Sequence, residues 1–582
     1  MIGNRLMRGV RATIIGALSL STLLYAASDS SSVADSAQAG NTEAVIASLK
    51  HSADVNAPQG DGMTALHWAA AHNNADLVAV LLHAGANVKA TTRMGAYTPL
   101  ILAARNGSPT AIVPLVKAGA DVNARTSNGA TSLMFAAGSG DVESVTALLD
   151  HGAEVNAIES ARGLSAMMFA AAANRSGVIK VLADHGADLK ATTKIIDLRN
   201  LDRSAFAGVL NGNPSPPPSP DGRGGRGRGG NAMGAPAGRG SQPKTAGFDR
   251  DYQGNELVYA QGGMTPLMFA ARQGFLEATT TLLDVGADVN QLSAGDQTSP
   301  LLEAVINGNF DVAKILLDRG ADPKRASKNG ATPLYAVLNV EWAPRSVRPQ
   351  PRAQLNQKLS YLDMMQLLLD KGADPNARLT TRVWYSGNLS GVDEIGATPF
   401  WRAAYASDVD AMRLLVARGA DPNIATIKGA GRPRADTMMM NDEREYKETS
   451  PLPPVPTGGS GVPAIVAAAG VGYGEGFAGN THHYAPSGML VAVKYLVEEL
   501  HMDVNMTDHE GNTALHDAAA RGDIEMIQYL VSKGANVMAV NREGKTTADM
   551  ANGPTQRIQP WPEALALLEK LGAKNNHKCV SC

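Results

Sequence analysis

The sequence predicts an all-α solenoid of about eleven to twelve stacked helix-turn-helix units with hairpin-like tips. One seven-residue phrase recurs eleven times, and the glycines that precede its first copies, at 62, 95, 129 and 163, lie 33 to 34 residues apart. Each clear copy is followed by a second apolar stretch such as DLVAVLLHAGANV. Repeats of this period stack because each unit buries its hydrophobic face only against its neighbours.

The phrase itself explains the local structure of each unit. A glycine before it permits a tight turn, and the first Thr or Ser can cap a helix with its side-chain oxygen. Proline suits the next position because the first helical N–H has no partner anyway. A second helix with paired leucines should end at the Gly of Gly-Ala-Asp or Gly-Ala-Asn in a left-handed cap. The phrase begins at Thr64, Thr98, Thr131, Ser165, Thr265, Ser299, Thr332, Thr398, Val462, Thr513 and Thr546.

The phrase resembles the ankyrin repeat, whose T-P-L-H-x-A signature and 33-residue period it follows in TALHWAA at 64–70 and TPLILAA at 98–104. The resemblance covers roughly 33–574 apart from insertions. It implies a non-enzymatic scaffold that holds another protein on a concave surface of tips and first helices. His67 and His516 keep the signature histidine, whereas other copies replace it, so we expect the buried polar network of that position to be mostly lost.

Composition agrees with a repeat protein. The 582 residues include 44% hydrophobic side chains but only 5% aromatic ones, with 60 glycines, which favours small-residue packing over a core of large rings. The formal charge of −3 gives no bulk excess of positive charge for nucleic acid or anionic lipid. The charge therefore predicts no nucleic-acid partner and no membrane contact beyond the N-terminal signal. The resemblance implies a protein partner, and we expect a monomer.

The first residues are typical of an export signal. Arg5, Arg8 and Arg11 precede an apolar stretch at 12–27 that is short for a membrane helix. This predicts a signal peptide at 1–27 and an exported protein of the periplasm or cell exterior. The alternative is an uncleaved N-terminal segment that anchors the protein in the membrane.

Insertions divide the predicted solenoid. A first repeat block spans 28–196, a Pro/Gly/Arg-rich linker that we expect to be disordered spans 197–262, and a second block spans 263–574. The second block is interrupted at 339–359, 379–395, 429–461 and 470–488. The first and last of these fall between the two helices of one unit, and the other two extend tips between units.

The C-terminal tail, 575–582, carries Cys579 and Cys582 as C-x-x-C. In an exported protein a small disulfide or two free thiols are expected. The tail also resembles the start of a c-type cytochrome motif, C-x-x-C-H, but without the His that would complete it. We therefore predict no cofactor in this chain, with haem c only if a longer chain continues after Cys582. On that alternative the solenoid would be the docking arm of an exported redox protein.

Catalytic and metal motifs are missing from the sequence. There is no H-E-x-x-H, G-x-S-x-G or P-loop, and GEGFAG at 474–479 follows a helix rather than a strand. His482 and His483 lack a further ligand at a recognised spacing, so a solvated loop or partner contact is favoured over a metal site. We predict no enzyme activity and no metal.

Candidate partner contacts flank the repeat glycine and the end of the first helix: Met63, His72, Tyr97, Arg105, Asn128, Arg162, Arg272, Asn329, Glu510 and Arg521. A second pattern is a column at the fifth position of the phrase, with Trp68, Leu102, Phe135, Phe169 and Phe269. It could be an aromatic ligand stripe, but repetition at one internal position favours a packed core. Glu303, Arg402 and Asp517 occupy the same position and are less easily explained as core.

Overall fold

The computed structural model describes residues 32–197, 260–343, 352–383, 392, 394–429, 452–472, 484–553 and 560–577. Within them lie twenty-four α-helices and two short strands. The helices alternate along the chain between a first layer (odd numbers) and a second layer (even numbers), which makes twelve pairs. Eleven pairs follow the phrases predicted from the sequence, and the pair α1–α2 precedes the first of them.

The first-layer helices are α1 Ser32–Gln38, α3 Ala65–Ala71, α5 Pro99–Arg105, α7 Ser132–Ser139, α9 Ala166–Ala172, α11 Pro266–Gln273, α13 Pro300–Ile306, α15 Pro333–Glu341, α17 Pro399–Tyr405, α19 Ala464–Ala468, α21 Ala514–Ala520 and α23 Thr547–Ala551. The second-layer helices are α2 Thr42–Lys50, α4 Ala75–His83, α6 Pro109–Lys117, α8 Val142–Asp150, α10 Ser176–Asp184, α12 Leu276–Asp284, α14 Phe310–Asp318, α16 Tyr361–Asp370, α18 Val409–Ala417, α20 Met489–Lys494, α22 Ile524–Ser532 and α24 Pro562–Lys570. Among the described helices, none is long and apolar enough to span a bilayer.

The described chain divides into two compact units. Among the described residues, the first unit comprises 32–194, 265–270 and 277–287, and the second comprises 195–197, 260–264, 271–276 and those described from 288 to 577. In both units first-layer helices contact the next one in the layer and also their own second-layer partners, as α5 contacts α7 and α6. The fold is therefore the all-α solenoid that the sequence predicts.

The cores consist of the small and aliphatic residues of the phrase. In α5 the buried set is Pro99, Leu100, Ile101, Ala103 and Ala104, and homologous positions are buried in the other first-layer helices. Alanine at two of these positions lets neighbouring helices approach closely, which explains how a chain poor in aromatic residues fills its interior.

Caps and turns form as the residues dictate. The Thr98 side chain accepts a hydrogen bond from Ile101 N at 3.2 Å, and Pro99 occupies the first helical position. Gly119 follows α6 with φ +91°, the left-handed cap expected after the second helix.

An asparagine after several of the second-layer helices joins consecutive units. In the first unit, Asn123 Nδ2 donates to Gly152 O at 3.0 Å, and Glu154 N donates to Asn123 Oδ1 at 2.9 Å. The same pair of bonds links Asn376 to Gly419 and Asp421 in the second unit. One side chain thus satisfies a carbonyl and an amide of the neighbouring unit, which fixes the spacing between units.

The predicted linker leaves and rejoins the fold at one place. Strands β1 (Ile195–Asp197) and β2 (Ala260–Gly262) pair antiparallel, with Ile195 opposite Gly262. Asn174 lies just beyond α9, before the linker. Its Oδ1 accepts a hydrogen bond from Ala278 N in α12, after the linker, at 3.1 Å. The first unit therefore includes helix residues from both sides of the linker, whereas the sequence boundaries assign those after 263 to the second block.

Four long connections separate helices of the second unit. Residues 342–360 separate α15 from α16, and 469–488 separate α19 from α20, so both lie within helix pairs. The other two join one pair to the next, between α16 and α17 and between α18 and α19.

Candidate functional site

One position of the first-layer helices in the first unit is left half-buried. In α3 the side chains of Ala65, Leu66, His67, Ala69 and Ala70 are all buried, whereas Trp68 between them is half-buried. The other sides of a first-layer helix are covered by its neighbours in the first layer and by its second-layer partner. The fifth position of the phrase therefore faces away from the second layer. We call the surface that it forms in the first unit the open face.

Apolar side chains occupy this position in every following helix of the first unit. Leu102, Phe135, Phe169 and Phe269 are all half-buried. The structure thus gives these side chains an exposed edge, which full core packing would not leave. The interpretation of this position as packed core is therefore only partly right. Each side chain packs against the fold and also presents apolar surface to solvent.

The rings of the open face contact one another. The centroids of Tyr97 and Phe135 lie 5.9 Å apart with the planes inclined at 54°, and those of Phe135 and Phe169 lie 6.3 Å apart at 59°. Such tilted contacts stabilise aromatic pairs beyond the area they bury. The result is a continuous apolar stripe across several units, and not a set of isolated rings.

A shallow groove of about 270 Å³ lies at one end of this stripe. Trp68 and Leu102 line its wall, and the tip residues Met63 and Met94 lie at its edge. Met94 is 80% exposed, which is unusual for a large apolar side chain. Trp68 Nε1 donates to Gln59 Oε1 at 2.7 Å, so the polar atom of the indole is satisfied and its ring is fixed in the groove.

Three arginines border the stripe. Arg105 lies beside the groove with its guanidinium 6.0 Å from the Tyr97 ring centroid. Arg162 occupies the tip position that Asp61 and Met94 fill in earlier units. Arg175 Nε donates to Gly138 O at 3.2 Å, next to the exposed side of α7. Within the described part of the chain, none of the three forms an ion pair with a carboxylate.

The same position is closed in most of the second unit. Ala336, Arg402, Val466, Asp517 and Met550 are all buried there. Glu303 alone among the second unit's described phrase positions remains half-buried. Its pKa is raised to about 7, chiefly by burial and opposed by Arg272. The open face therefore belongs to the first unit.

Residues outside the repeat phrases bond to the ends of first-layer helices in the second unit. Ala485 N donates to Ala406 O at 2.8 Å, and Ser487 Oγ donates to Ser407 O at 3.2 Å, beside the end of α17. Further along, Trp561 Nε1 donates to Ala520 O at 3.0 Å at the end of α21.

A buried polar cluster forms where the insertions meet α17. Arg402 is 1% exposed; its Nε donates to Asn339 Oδ1 at 3.0 Å and its Nη2 donates to Trp342 O at 2.7 Å. Asp408 caps α18 and also accepts from Trp342 Nε1. Burial raises the pKa of Asp408, and burial together with the adjacent Asp408 raises the pKa of the Tyr361 phenol. Arg402 and Asp408 are both buried, and the cluster links the segment after α15 to α17 and α18.

The signature histidine position keeps one of its links through a different side chain. His67 Nε2 lies 3.1 Å from Tyr97 O in the next unit. At the same position in α17, Trp401 Nε1 donates to Val462 O at 2.8 Å. The expected loss of this network is thus only partial, because an indole N–H can replace the imidazole. The positions of the histidines alone do not reveal this hydrogen bond between units, because Trp401 supplies the donor.

The structure separates the predicted contact residues into two groups. Met63 and Tyr97 line the groove with Arg105, and His72, Asn128 and Arg162 are exposed in the same unit. In the second unit Glu510 is exposed and Arg272 is half-buried. Asn329 is only 5% exposed and bonds to Arg382 O, and the Arg521 side chain is 6% exposed and paired with Asp523. Asn329 and Arg521 thus serve the fold and present little surface to a partner.

Several other predicted features lie outside the described residues. These are the signal segment 1–27, the arginines of the linker, the histidines at 482 and 483, and the cysteines at 579 and 582. Across the residues that are described, no three His, Cys, Asp or Glu side chains converge as metal ligands would.

Family comparisons match the repeats along the chain. The family model for ankyrin repeats in three copies matches residues 100–193 and 247–337. The family model for ankyrin repeats in many copies matches residues 46–112 and 495–551. A single ankyrin repeat matches 395–427. Together these matches cover more than half of the chain and both units.

Individual relatives resemble only parts of the chain. Alpha-latroinsectotoxin-Lt1a of Latrodectus tredecimguttatus is 45% identical over 49 residues, which is 8% of this chain and 4% of the toxin. Alpha-latrocrustotoxin-Lt1a of the same species is 42% identical over 59 residues, 10% of this chain and 4% of that protein. Protein phosphatase 1 regulatory subunit 12A of Rattus norvegicus is 29% identical over 147 residues, 25% of this chain and 12% of the subunit. The matches thus span 12% or less of each relative's length.

Proposed function

Because the chain belongs to the ankyrin-repeat proteins, we propose that it is a non-enzymatic scaffold of the bacterial cell envelope that binds a protein partner on its open face. Ankyrin repeats imply a protein–protein interaction scaffold, and one similar protein is a regulatory subunit of a phosphatase.

The observation that carries this proposal is the contrast between the two units. Trp68, Leu102, Phe135 and Phe169 present apolar surface, whereas most equivalent positions of the second unit are buried. Contiguous exposed apolar surface on a folded protein commonly marks an interaction site. Aromatic residues with two rotatable bonds also lose little side-chain entropy when a partner covers them.

The test is a double substitution on the stripe, Trp68→Ala with Phe135→Ala, in the full chain. Partner capture from the native envelope fraction is compared between the wild type and this variant. We expect the captured protein to be lost or at least tenfold reduced, since aromatic contacts at the centre of an interface often contribute about 2 kcal/mol or more each.

The matched control is Val142→Ala, which removes an exposed apolar side chain from second-layer helix α8. Its capture should equal that of the wild type. Circular dichroism of both variants should match the wild type, because both sites are partly or largely solvated. Equal capture by the wild type and the stripe variant would overturn the proposal.

We also propose that the protein is exported, on the strength of Arg5, Arg8, Arg11 and the apolar stretch at 12–27. The intact mass of the protein from its native envelope fraction tests this. A mass that begins at Ser28 supports cleavage after Ala27, and a mass that retains Met1 supports the anchored alternative. A larger mass with a Soret absorption band would support the alternative of a redox protein with haem attached at Cys579.

A further inference from the structure

We propose that the open face binds an extended segment of another protein in which large apolar side chains are flanked by Asp or Glu. The inference rests on the proposed function and specifies the chemistry of the partner. It is carried by two features of the first unit that occur together: a continuous apolar stripe and arginines without carboxylate partners along its borders.

The stripe selects apolar side chains from the partner. The tilted contacts from Tyr97 through Phe135 to Phe169 leave a ridge of ring edges, and the groove at Trp68 and Leu102 provides a depression beside it. A segment that lies along this surface buries one or more apolar side chains per unit. Burial of apolar side chains favours association, and a few well-packed large side chains often dominate the affinity of an interface.

The borders select carboxylates. Arg105 and Arg175 lie on the side of the helix ends and Arg162 lies on the side of the tips, and none of them has a carboxylate partner within the described residues. Arg125, which lies outside this set, is paired with Glu154 at 3.4 Å. Guanidinium groups bind carboxylates in bidentate geometry, so unpaired arginines beside an apolar stripe favour acidic flanking residues.

The charges also predict in which direction the partner segment lies along the open face. Asp61 is the one carboxylate that lines the groove, and it lies at the end opposite Arg162 and Arg175 in repeat order. Acidic residues of the partner should therefore lie over the units at 98–175. Neutral or basic residues are compatible with the groove near Asp61.

The ring geometry argues against a stacked base or sugar as the ligand. Inclinations of 54° and 59° offer no flat platform, and centroid separations near 6 Å leave no gap into which a planar ring could insert between neighbours. Stacking on aromatic side chains requires an accessible ring face. Apolar side chains of a peptide, which adapt to ring edges, fit this surface better.

The experiment is a selection of random 16-residue peptides displayed on phage against the full chain, followed by fluorescence anisotropy of the enriched peptides. We expect enriched peptides to combine Leu, Phe or Trp with more Asp and Glu than the starting library. Their affinity should fall at least tenfold for the double variant Arg105→Glu with Arg162→Glu. It should also fall as salt rises from 50 to 500 mM, because exposed charges are screened.

Lys180→Glu is the matched control, since it reverses an exposed charge on second-layer helix α10. It should leave the affinity unchanged. A random single-stranded 16-mer of DNA serves as a second probe. We expect the wild type to bind this DNA no more tightly than the double arginine variant does.

The outcomes separate the two proposals. If enriched peptides are neutral or basic but still lose affinity for the Trp68→Ala and Phe135→Ala variant, the acidic chemistry is wrong and the scaffold proposal stands. If binding of the DNA probe depends on Arg105 and Arg162, the inference of a protein segment is overturned. If no peptide is enriched in a way that the stripe variant abolishes, the proposed function itself fails, and this inference fails with it.

Discussion

The indole N–H of Trp342 donates a hydrogen bond to the carboxylate Oδ2 of Asp408 over 2.8 Å. This bond joins the insertion after α15 to the first turn of α18, where Asp408 also accepts from Ala411 N at 3.0 Å. The Trp342 ring meets Tyr361 edge-on, with centroids 5.8 Å apart. An insertion with no repeat pattern is thus held by the cap of a repeat helix.

We expect Trp342→Phe to destabilise this part of the second unit by about 2 kcal/mol, because the ring remains while a bond to a buried carboxylate is lost. Trp342→Ala should cost more, about 3 to 5 kcal/mol, since it also leaves a cavity. Hydrogen exchange of the α17 and α18 amides, followed by mass spectrometry, measures both effects. Unchanged exchange in Trp342→Ala would show that the insertion contributes nothing to the stability of these helices.

The asparagine links allow a controlled test of coupling between units. Asn376 bonds to Gly419 O and to Asp421 N of the next unit, whereas Asn423, in the equivalent position one unit later, donates within its own turn to Asp421. Asn376→Ala should therefore cost about 1 to 2 kcal/mol, and Asn423→Ala a few tenths. The midpoints of urea unfolding of the two variants provide the comparison. Equal midpoints would mean that the link between units adds no net stability.

Substitutions at two glycines distinguish the cost of backbone strain from the cost of a steric clash. Gly330 and Gly419 both have positive φ, +80° and +87°. A Cβ at Gly330 would lie 2.7 Å from Arg378 O, whereas at Gly419 it would meet nothing within 4 Å. Gly419→Ala should cost about 1 kcal/mol of left-handed strain, and Gly330→Ala distinctly more. Thermal unfolding compares them, and equal losses would show that the neighbouring tip yields without cost.

Much of the fold could be predicted because its determinants are local. The cap at Thr98 and the left-handed glycine after α6 each depend on a few adjacent residues, and the repeat makes them visible many times. The contact of Trp342 with Asp408 could not be predicted, since the two residues are 66 positions apart in segments that do not repeat. Arg402 bonds to Asn339 and to the carbonyl of Trp342, 63 and 60 positions away, so the sequence shows that Arg402 is unusual but not what it does.

The binding surface was only partly predictable for a related reason. The sequence places Trp68 and Phe135 at one position of the repeat, and a repeated apolar position favours a core. Whether that position is covered depends on what lies above it. In the first unit the described chain leaves it half-open, and in the second unit residues such as Ala485 and Trp561 bond beside it. Both residues lie between repeat helices, in segments that carry no periodic signal.

The buried imidazole of His516 makes the stability of the second unit depend on pH. Thr513 N donates to His516 Nδ1 at 3.1 Å, so the neutral ring is the form that the helix start requires. Burial lowers the pKa of His516 to about 4, although Asp549 opposes the shift. In the unfolded chain the pKa is about 6.5, so the unfolded state takes up the proton first as the pH falls.

The folded pKa lies below the unfolded one, so the stabilisation from neutral His516 is complete above pH 6.5 and declines as the pH falls toward 4. Between pH 7 and pH 5 the loss should be about 2 kcal/mol. His516→Met removes the titration and uses the residue found at this position in Met134 and Met168. Urea unfolding of both proteins at pH 7 and pH 5 gives the difference, in which all other titrating groups cancel. If the wild type and His516→Met lose the same stability over this interval, His516 is not the group responsible.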